Sequence, residues 1–339
     1  MLIHIDKIAS VTKNAGLESP VEITDDIKPE SGAIIVVEVL EDKKIYNQLE
    51  LCSGRLSTLQ KGDIIVVALG NRKALKGFVG NTPKTLKPGD IITVLNLGGV
   101  AGICISENIK EVGHALKVKV LGAVAKDGKA INIADFKQFD FKNNLDSKIP
   151  LIVVSGTCMN VGKTTVASEV IKYMTRAGKT VFAAKLAGIA CLRDTENMRD
   201  HGAKKIVSII DAGLTSTVNT NSLSLKVTKG AIDHLSEVKP DYIVIEFGDG
   251  VYGEYGVMEI LKDKEIQKNI VLHIGCAHDP MGAAKLFEVC KEIGAPLDMI
   301  SGPVTDNEVG TGFVKNNLKI PAFNALTDPQ KFADHLLHE

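Results

Sequence analysis

The chain contains no tryptophan, and aromatic residues make up only 4% of its 339 residues. Base-stacking platforms for single-stranded nucleic acid are therefore not suggested. Neither sign of charge is in excess, since 40 Lys and Arg against 41 Asp and Glu leave a net charge of −1. That balance argues against nucleic acid or an anionic membrane surface as a partner. No apolar run approaches the ~20 residues that a membrane-spanning helix needs. The amino terminus, MLIHIDKIAS, lacks the basic-then-apolar order of a secretion signal. The six cysteines (Cys52, Cys104, Cys158, Cys191, Cys276 and Cys290) are scattered and form no C-x-x-C pair. Structural zinc is not indicated, and a reduced, cytoplasmic thiol set is expected. What remains, 45% hydrophobic and 24% charged residues, is the profile of a globular chain long enough for two domains.

Residues 1–140 read as β-rich. Short β-branched runs, AIIVVEVL (33–40), DIIVVAL (63–69), DIITVLNL (90–97) and LKVKVLGAV (116–124), are separated by Gly, Pro, Asp and Asn turns. TLQKGDIIVVALG (58–70) and TLKPGDIITVLNLG (85–98) echo each other at an offset of 27 residues. Lys-Gly-Asp and Pro-Gly-Asp are turn chemistry placed just before a strand. One such echo fits two similar hairpins in a small barrel or sandwich rather than a repeat array. The polar stretch 141–149 reads as a linker. From residue 150 to 339 apolar strands (LIVVSG, VFAAK, KIVSII, YIVIEF, NIVLHIG, LDMISG) alternate with amphipathic helices near 162–177, 226–237, 255–266, 280–293 and 307–317. Near-continuous apolar strands between helices predict a mostly parallel, doubly wound sheet covered on both faces. Ligands in such sheets bind at the carboxyl ends of the strands.

The chemistry concentrates there. Gly156-x-x-x-x-Gly162-Lys163-Thr164 matches the Walker A pattern, follows an apolar strand and opens a helix. Its glycines let the backbone turn N–H groups toward phosphate, and the helix amino terminus adds partial positive charge. Gly156, Thr157, Asn160, Val161, Gly162, Lys163, Thr164 and Thr165 are the expected nucleotide cradle. Lys163 is expected to neutralise the β- and γ-phosphates, and the Thr164 hydroxyl to hold Mg²⁺. Cys158 lies inside the loop. A thiolate at a helix amino terminus is physically reasonable, but filler facing the sheet is the simpler reading.

A second acid is needed to hold Mg²⁺. In DYIVIEFGDGVYGEYG (241–256) Glu246 emerges at a strand end before a glycine-rich turn, with Asp249 as the alternative contact. After the second strand, AAKLAGIACLRDTENMRDHGA (183–203) offers Lys185 and Asp194 ahead of Arg193, Arg199, Asp200 and His201. A solvated helix face explains the charges of this stretch equally well. Asp279-Pro280 fits an N-cap and first-turn pair better than catalysis. His273 and His278 have no metal-ligand spacing. In ISGPVTDNEVG (300–310), Ser301, Thr305, Asp306 and Asn307 fall in a late strand-end loop, where Asn307 either reads a purine edge or caps a helix.

With these residues in view, the stretch from about 150 to 325 resembles dethiobiotin synthetase and its relatives. That P-loop class also holds nitrogenase-iron-protein-like and signal-recognition GTPases. GTCMNVGKTT is similar to the family's Gly-Thr-x-Thr-x-Val-Gly-Lys-Thr loop, and IEFGDG looks like its Val-Glu-Gly-Ala-Gly-Gly segment. The resemblance implies Mg²⁺ on Thr164 and Glu246, γ-phosphate on Lys163, Lys185 facing substrate carboxyl chemistry, and a homodimer. Met159, Cys158, Phe247 and Asp249 depart from the family pattern, and the family has no amino-terminal β domain. The expectation is an ATP- and Mg²⁺-dependent enzyme, ligase- or kinase-like, activating a small carboxylated or amino substrate. Two alternatives stand beside it: a GTPase or nucleotide-gated cofactor-assembly factor, and a P-loop protein that uses acetyl-coenzyme A for amino-acid N-acylation.

Overall fold

The computed structural model describes residues 1–218 and 222–338. It divides into two compact units. The first is Met1–Gln138 together with Ile189–Arg193 and Ile209–Val218. The second is Phe139–Gly188, Asp194–Ser208 and the described residues from 222 onward. Among the described residues, no helix is long and apolar enough to cross a membrane.

In the first unit five strands close into a ring. Leu116–Lys126 pairs with Ile34–Val39, which pairs with Ile64–Leu69, then Val100–Glu107, then Ile91–Val94, which returns to Leu116–Lys126. All these pairings are antiparallel except that between Ile64–Leu69 and Val100–Glu107. Ile34, Ile35, Val36 and Val37 are all fully buried, so this strand is covered on both faces, as an unbroken apolar run requires. The 27-residue echo is one turn used twice. Gly62 and Gly89 both take the left-handed conformation, with φ of 90° and 92°. Asp63 Oδ2 accepts from Gln60 N (2.7 Å), and Asp90 Oδ2 accepts from Lys87 N (2.9 Å). Each Asp thereby closes the turn that feeds a ring strand.

Two segments from far along the sequence complete this unit. Ile189 bridges Ser216, and Ala190 N donates to Thr215 O (2.8 Å). Ser31 and Thr215 share a hydroxyl hydrogen bond of 2.9 Å. Gln138 N donates to Asp211 O (2.7 Å). Ala190, Leu192, Ile209 and Ile210 are buried in the same apolar cluster as the ring strands.

The second unit has a six-stranded, wholly parallel sheet. Its order is Ile206–Ser208, Val181–Ala187, Tyr242–Phe247, Leu151–Gly156, Ile270–Cys276, Met299–Ser301. Leu151–Gly156 is buried along its whole length and sits between Tyr242–Phe247 and Ile270–Cys276. The helices Lys163–Arg176, Leu223–Ser236 and Pro280–Glu292 follow the expected spans closely. Residues 139–147 form an ordered strap. Asp146 N and Ser147 N donate to the Asp233 carboxylate, and Ser147 shares a hydroxyl hydrogen bond with Ser236 (2.6 Å). Buried Lys229 donates to Asn143 O and pairs with Asp263 and Glu265.

Gly230 lies mid-helix, and a Cβ there would strike Asp140 O of the strap. A Gly→Ala change inside a helix normally stabilises by about 1 kcal/mol. Here overpacking reverses the sign, and Gly230→Ala is expected to destabilise by roughly 1–3 kcal/mol. Urea unfolding measures this, and a raised midpoint would show that the strap does not press on the helix.

Candidate functional site

Strand ends in the second unit bring the predicted groups together. Leu151–Gly156 runs into the P-loop, where a Cβ on Gly156 would come within 2.8 Å of Cys276 O and 2.9 Å of Val161 Cγ2. Asn160 and Gly162 both take the left-handed conformation, with φ of 61° and 87°. These kinks bend the loop so that the helix Lys163–Arg176 starts directly behind it. The turn after Tyr242–Phe247 braces the loop from the side. Val251 N donates to Gly156 O (2.9 Å), and a Cβ on Gly250 would collide with Thr157 O. On the other side, a Cβ on Gly302 would collide with Val161 O.

Lys163 is 4% exposed, and its Nζ donates to Cys158 O (2.6 Å) across its own loop. Burial lowers its pKa, and the nearby Glu246 carboxylate works against that shift. A desolvated ammonium of this kind is stabilised by any further anion brought beside it. Thr164 Oγ1 donates to Glu246 Oε1 (2.7 Å) and stands 3.5 Å from Asp194 Oδ1. Lys185 Nζ pairs with Asp194 and lies 3.7 Å from Glu246 Oε1. Asp194 and Glu246, 52 residues apart in sequence, are therefore joined by one hydroxyl and one ammonium.

Glu246 is 1% exposed, and its Oε2 has no hydrogen-bond partner among the described residues. A buried carboxylate oxygen without a donor is costly. A hard cation would satisfy it. Two carboxylates and a hydroxyl, all oxygen donors, fit Mg²⁺, which takes few protein ligands and keeps several waters. Among the described residues no group of three or more His, Cys, Asp or Glu side chains gathers that could hold a metal ion.

The other candidates are placed as follows. Asp249 follows Glu246 in the glycine-rich turn. Burial raises its pKa, with the Gly250 backbone and Lys163 opposing. Asp279 caps the helix Pro280–Glu292, its Oδ1 accepting from Gly282 N (2.9 Å). Asn307 caps Glu308–Phe313, its Oδ1 accepting from Val309 N (3.0 Å) and, at 3.5 Å, Gly310 N. Asp306 accepts from Asn324 Nδ2, and Thr305 donates to Gly302 O. Arg199 pairs with Glu196 on an exposed helix face. His201 Nδ1 bonds to Asn197 O (2.7 Å). Cys276 sits fully buried at the strand end beside the loop, and burial pushes its thiol up to about 12.

Three placements add to the sequence reading. The stretch RDTENMRD forms the helix Arg193–Asp200, docked on the P-loop helix through Asn197 Nδ2 to Ser168 Oγ (2.9 Å). Met198, its only large apolar residue, is fully buried. The turn glycines Gly248 and Gly250 bear on neighbouring backbone, Gly248 N donating to Ala187 O (2.7 Å). His273 is structural. Its Nδ1–H donates to Ala295 O (3.0 Å), and its Nε2 accepts from Ser155 Oγ (2.8 Å). This ties the P-loop strand to its neighbour from inside the sheet.

No family model matches the sequence, and no curated protein matches it. Solved structures do. The cell division protein FtsY of Thermotoga maritima is 19% identical, with 61% of this chain and 75% of that chain covered and a TM-score of 0.38. The hydrogenase maturation factor HypB of Archaeoglobus fulgidus is 16% identical over 56% of this chain and 90% of that one, with a TM-score of 0.39. The 54-kDa signal recognition particle protein of Aeropyrum pernix K1, in complex with GDP, is 15% identical over 57% of this chain and 47% of that one, with a TM-score of 0.38. The second unit has the P-loop NTPase fold, by its parallel sheet order and its loop-to-helix geometry, and the first is a separate β-rich sheet.

Burial holds the His273 pKa down, from 6.5 to about 4. The unfolded chain therefore binds this proton at a pH where the folded chain does not, so stability rises with pH through that window. Stability is expected to fall as pH drops from about 6.5 to about 4, by up to ~3 kcal/mol from this group. Urea titrations across that range should show a shallower dependence in His273→Gln. Equal slopes in both proteins would contradict the assignment.

Proposed function

We propose that the chain is a Mg²⁺-dependent nucleoside triphosphatase. The observation that carries this reading is the convergence of Thr164, Asp194, Glu246 and Lys185 beside a braced P-loop. Backbone N–H groups of residues 157–165 hold the phosphates, and Lys163 supplies the charge that offsets the β–γ oxygens. Thr164, Glu246 and Asp194 would hold Mg²⁺, which when bound neutralises charge on the phosphate oxygens. Lys185 fixes the Asp194 carboxylate and screens it from Glu246, so that two acids share one small volume. Catalysis is then positioning and charge neutralisation more than proton chemistry.

Lys185 also bears on the acceptor of the phosphoryl group. Its ammonium is engaged by Asp194 inside the cluster, which favours water as acceptor over a substrate carboxylate held by Lys185. Hydrolysis that drives a change of state, as in a nucleotide-gated factor, is thus better supported than ligase or kinase chemistry. The cradle contacts phosphates, so ATP and GTP both fall within the reading.

Calorimetry with ATP, GTP and acetyl-coenzyme A, with Mg²⁺ and with EDTA, tests it. Lys163→Ala is expected to weaken triphosphate binding at least tenfold, about 1.4 kcal/mol. Glu246→Gln is expected to abolish the Mg²⁺ enhancement while leaving binding in EDTA intact. Tight acetyl-coenzyme A binding that ignores Mg²⁺ and outcompetes both triphosphates would overturn the proposal.

A further inference from the structure

The first unit holds a second, smaller apolar cluster beside its ring core. Phe78, Leu95, Val112 and Ala115 are buried in it, and Tyr46 and Cys104 pack against them. Two cations are set into this cluster. Arg72 is 6% exposed, and Lys43 is half-buried. Both lie over the same pair of rings. The Arg72 guanidinium carbon is 5.9 Å from the Tyr46 centroid and 5.8 Å from that of Phe78. Lys43 Nζ is 5.5 Å and 5.0 Å from the same two centroids. The rings meet edge to face, 5.6 Å apart.

Among the described residues, neither cation has a carboxylate within the 4.0 Å of an ion pair. Arg72 Nη1 donates to Leu95 O and to Tyr46 Oη (3.2 Å), while its Nε is buried with no hydrogen-bond partner among the described residues. Lys43 Nζ donates to Val112 O (2.8 Å). Burial lowers the Lys43 pKa, and Glu107 and Glu41 oppose that shift from a distance. Both of these acids are bonded elsewhere. Glu107 contacts His114 Nδ1 (2.9 Å) and accepts from Ala115 N (3.4 Å), and Glu41 accepts from Lys117 N (3.3 Å). A buried guanidinium without a counter-ion is costly, and a second cation on the same rings adds repulsion. The ring faces attract each cation but neutralise neither. Tyr46 Oη accepts from Arg72, so its own O–H remains free to donate outward, and no acceptor for it exists among the described residues. Two positive charges and a hydroxyl donor are what an oxyanion needs. The local excess of charge is small, because Glu107 and Glu41 act on Lys43, so a monoanion suits it better than a doubly charged phosphate.

We propose that Lys43, Tyr46 and Arg72 form a binding site for the carboxylate group of a small molecule. All three belong to the β-rich unit, and the site shares no residue with the nucleotide cradle. Lys43 Nζ and the Tyr46 hydroxyl make the direct contacts, since these two side chains are the partly exposed members. Arg72 stands behind them. It supplies charge, and by donating to Tyr46 Oη it turns the phenol proton toward the ligand.

The test is NMR of the full chain carrying isotope-labelled arginine, titrated with acetate, benzoate, inorganic phosphate and chloride at constant ionic strength. The Arg72 Nε–H resonance, assigned by its loss in Arg72→Lys, is the reporter. Acetate and benzoate are expected to shift it saturably, phosphate more weakly, and chloride not at all. Lys43→Met is expected to weaken benzoate binding about tenfold. Its melting temperature should be unchanged or raised, because an unpaired cation leaves an apolar cluster. Tyr46→Phe keeps the ring and removes the donor, and is expected to weaken binding several-fold; it carries the test if Lys43→Met fails to fold. A shift that never saturates, or that chloride reproduces, would overturn the site. So would saturation left intact by Lys43→Met and Tyr46→Phe, which would reduce the four side chains to a structural stack. Tighter binding of phosphate than of either carboxylate would overturn the ligand class.

Discussion

The hydrogen bond from Thr164 Oγ1 to Glu246 Oε1 joins the first turn of the P-loop helix to the end of the neighbouring strand. It requires a parallel sheet in which Leu151–Gly156 and Tyr242–Phe247 are adjacent and in register, with Val154 opposite Glu246. A shift of one residue would turn Glu246 toward the other face of the sheet. Both strands are buried on both faces, so the pairing of Val154 with Glu246, rather than an apolar alternation, is what brings the carboxylate to Thr164. Register thus places a carboxylate where the helix amino terminus can use it.

The same burial makes the site electrostatically stiff. Glu246 and Lys163 are almost withdrawn from water, and Lys185 is only slightly more accessible. Charges there interact more strongly than at the surface and change protonation or position only at a cost. The loop that carries Lys163 is held on both flanks by backbone contacts that glycines permit, at Gly250 on one side and Gly302 on the other. Rigidity in the cradle and pairing among its charged groups are two outcomes of one dry environment.

Much of this was legible in the sequence. The Walker pattern and its strand-to-helix context gave the loop, and a four-residue apolar run before Glu246 marked a strand end. Unbroken apolar runs separated by amphipathic stretches specified the parallel sheet. The turn chemistry of Lys-Gly-Asp and Pro-Gly-Asp marked two strand starts that the structure places in a closed ring. The closure itself was not legible, since pairing between Ile91–Val94 and Leu116–Lys126 depends on distant partners. A helix face was one of two equal readings of the charges in 183–203, but the docking of Arg193–Asp200 through Asn197 and buried Met198 was not legible, because no apolar stripe announces it. The packing of Ala190, Leu192, Ile209 and Ile210 among the ring strands was invisible for a further reason. Short apolar runs such as these look alike whether they finish a parallel sheet or leave it.

Those two insertions alter what counts as a module in this chain. The polypeptide passes between the compact units at 138/139, 188/189, 193/194, 208/209 and again between 218 and 222. No single cut yields both units whole. An amino-terminal domain appended end to end to an intact nucleotide-binding domain would need one crossing. This architecture therefore cannot be reshuffled by exchanging a terminal block of gene. A replacement for the β-rich part would have to bring matching substitutions at 189–193 and 209–218, so that the two halves of the sequence are bound to change together.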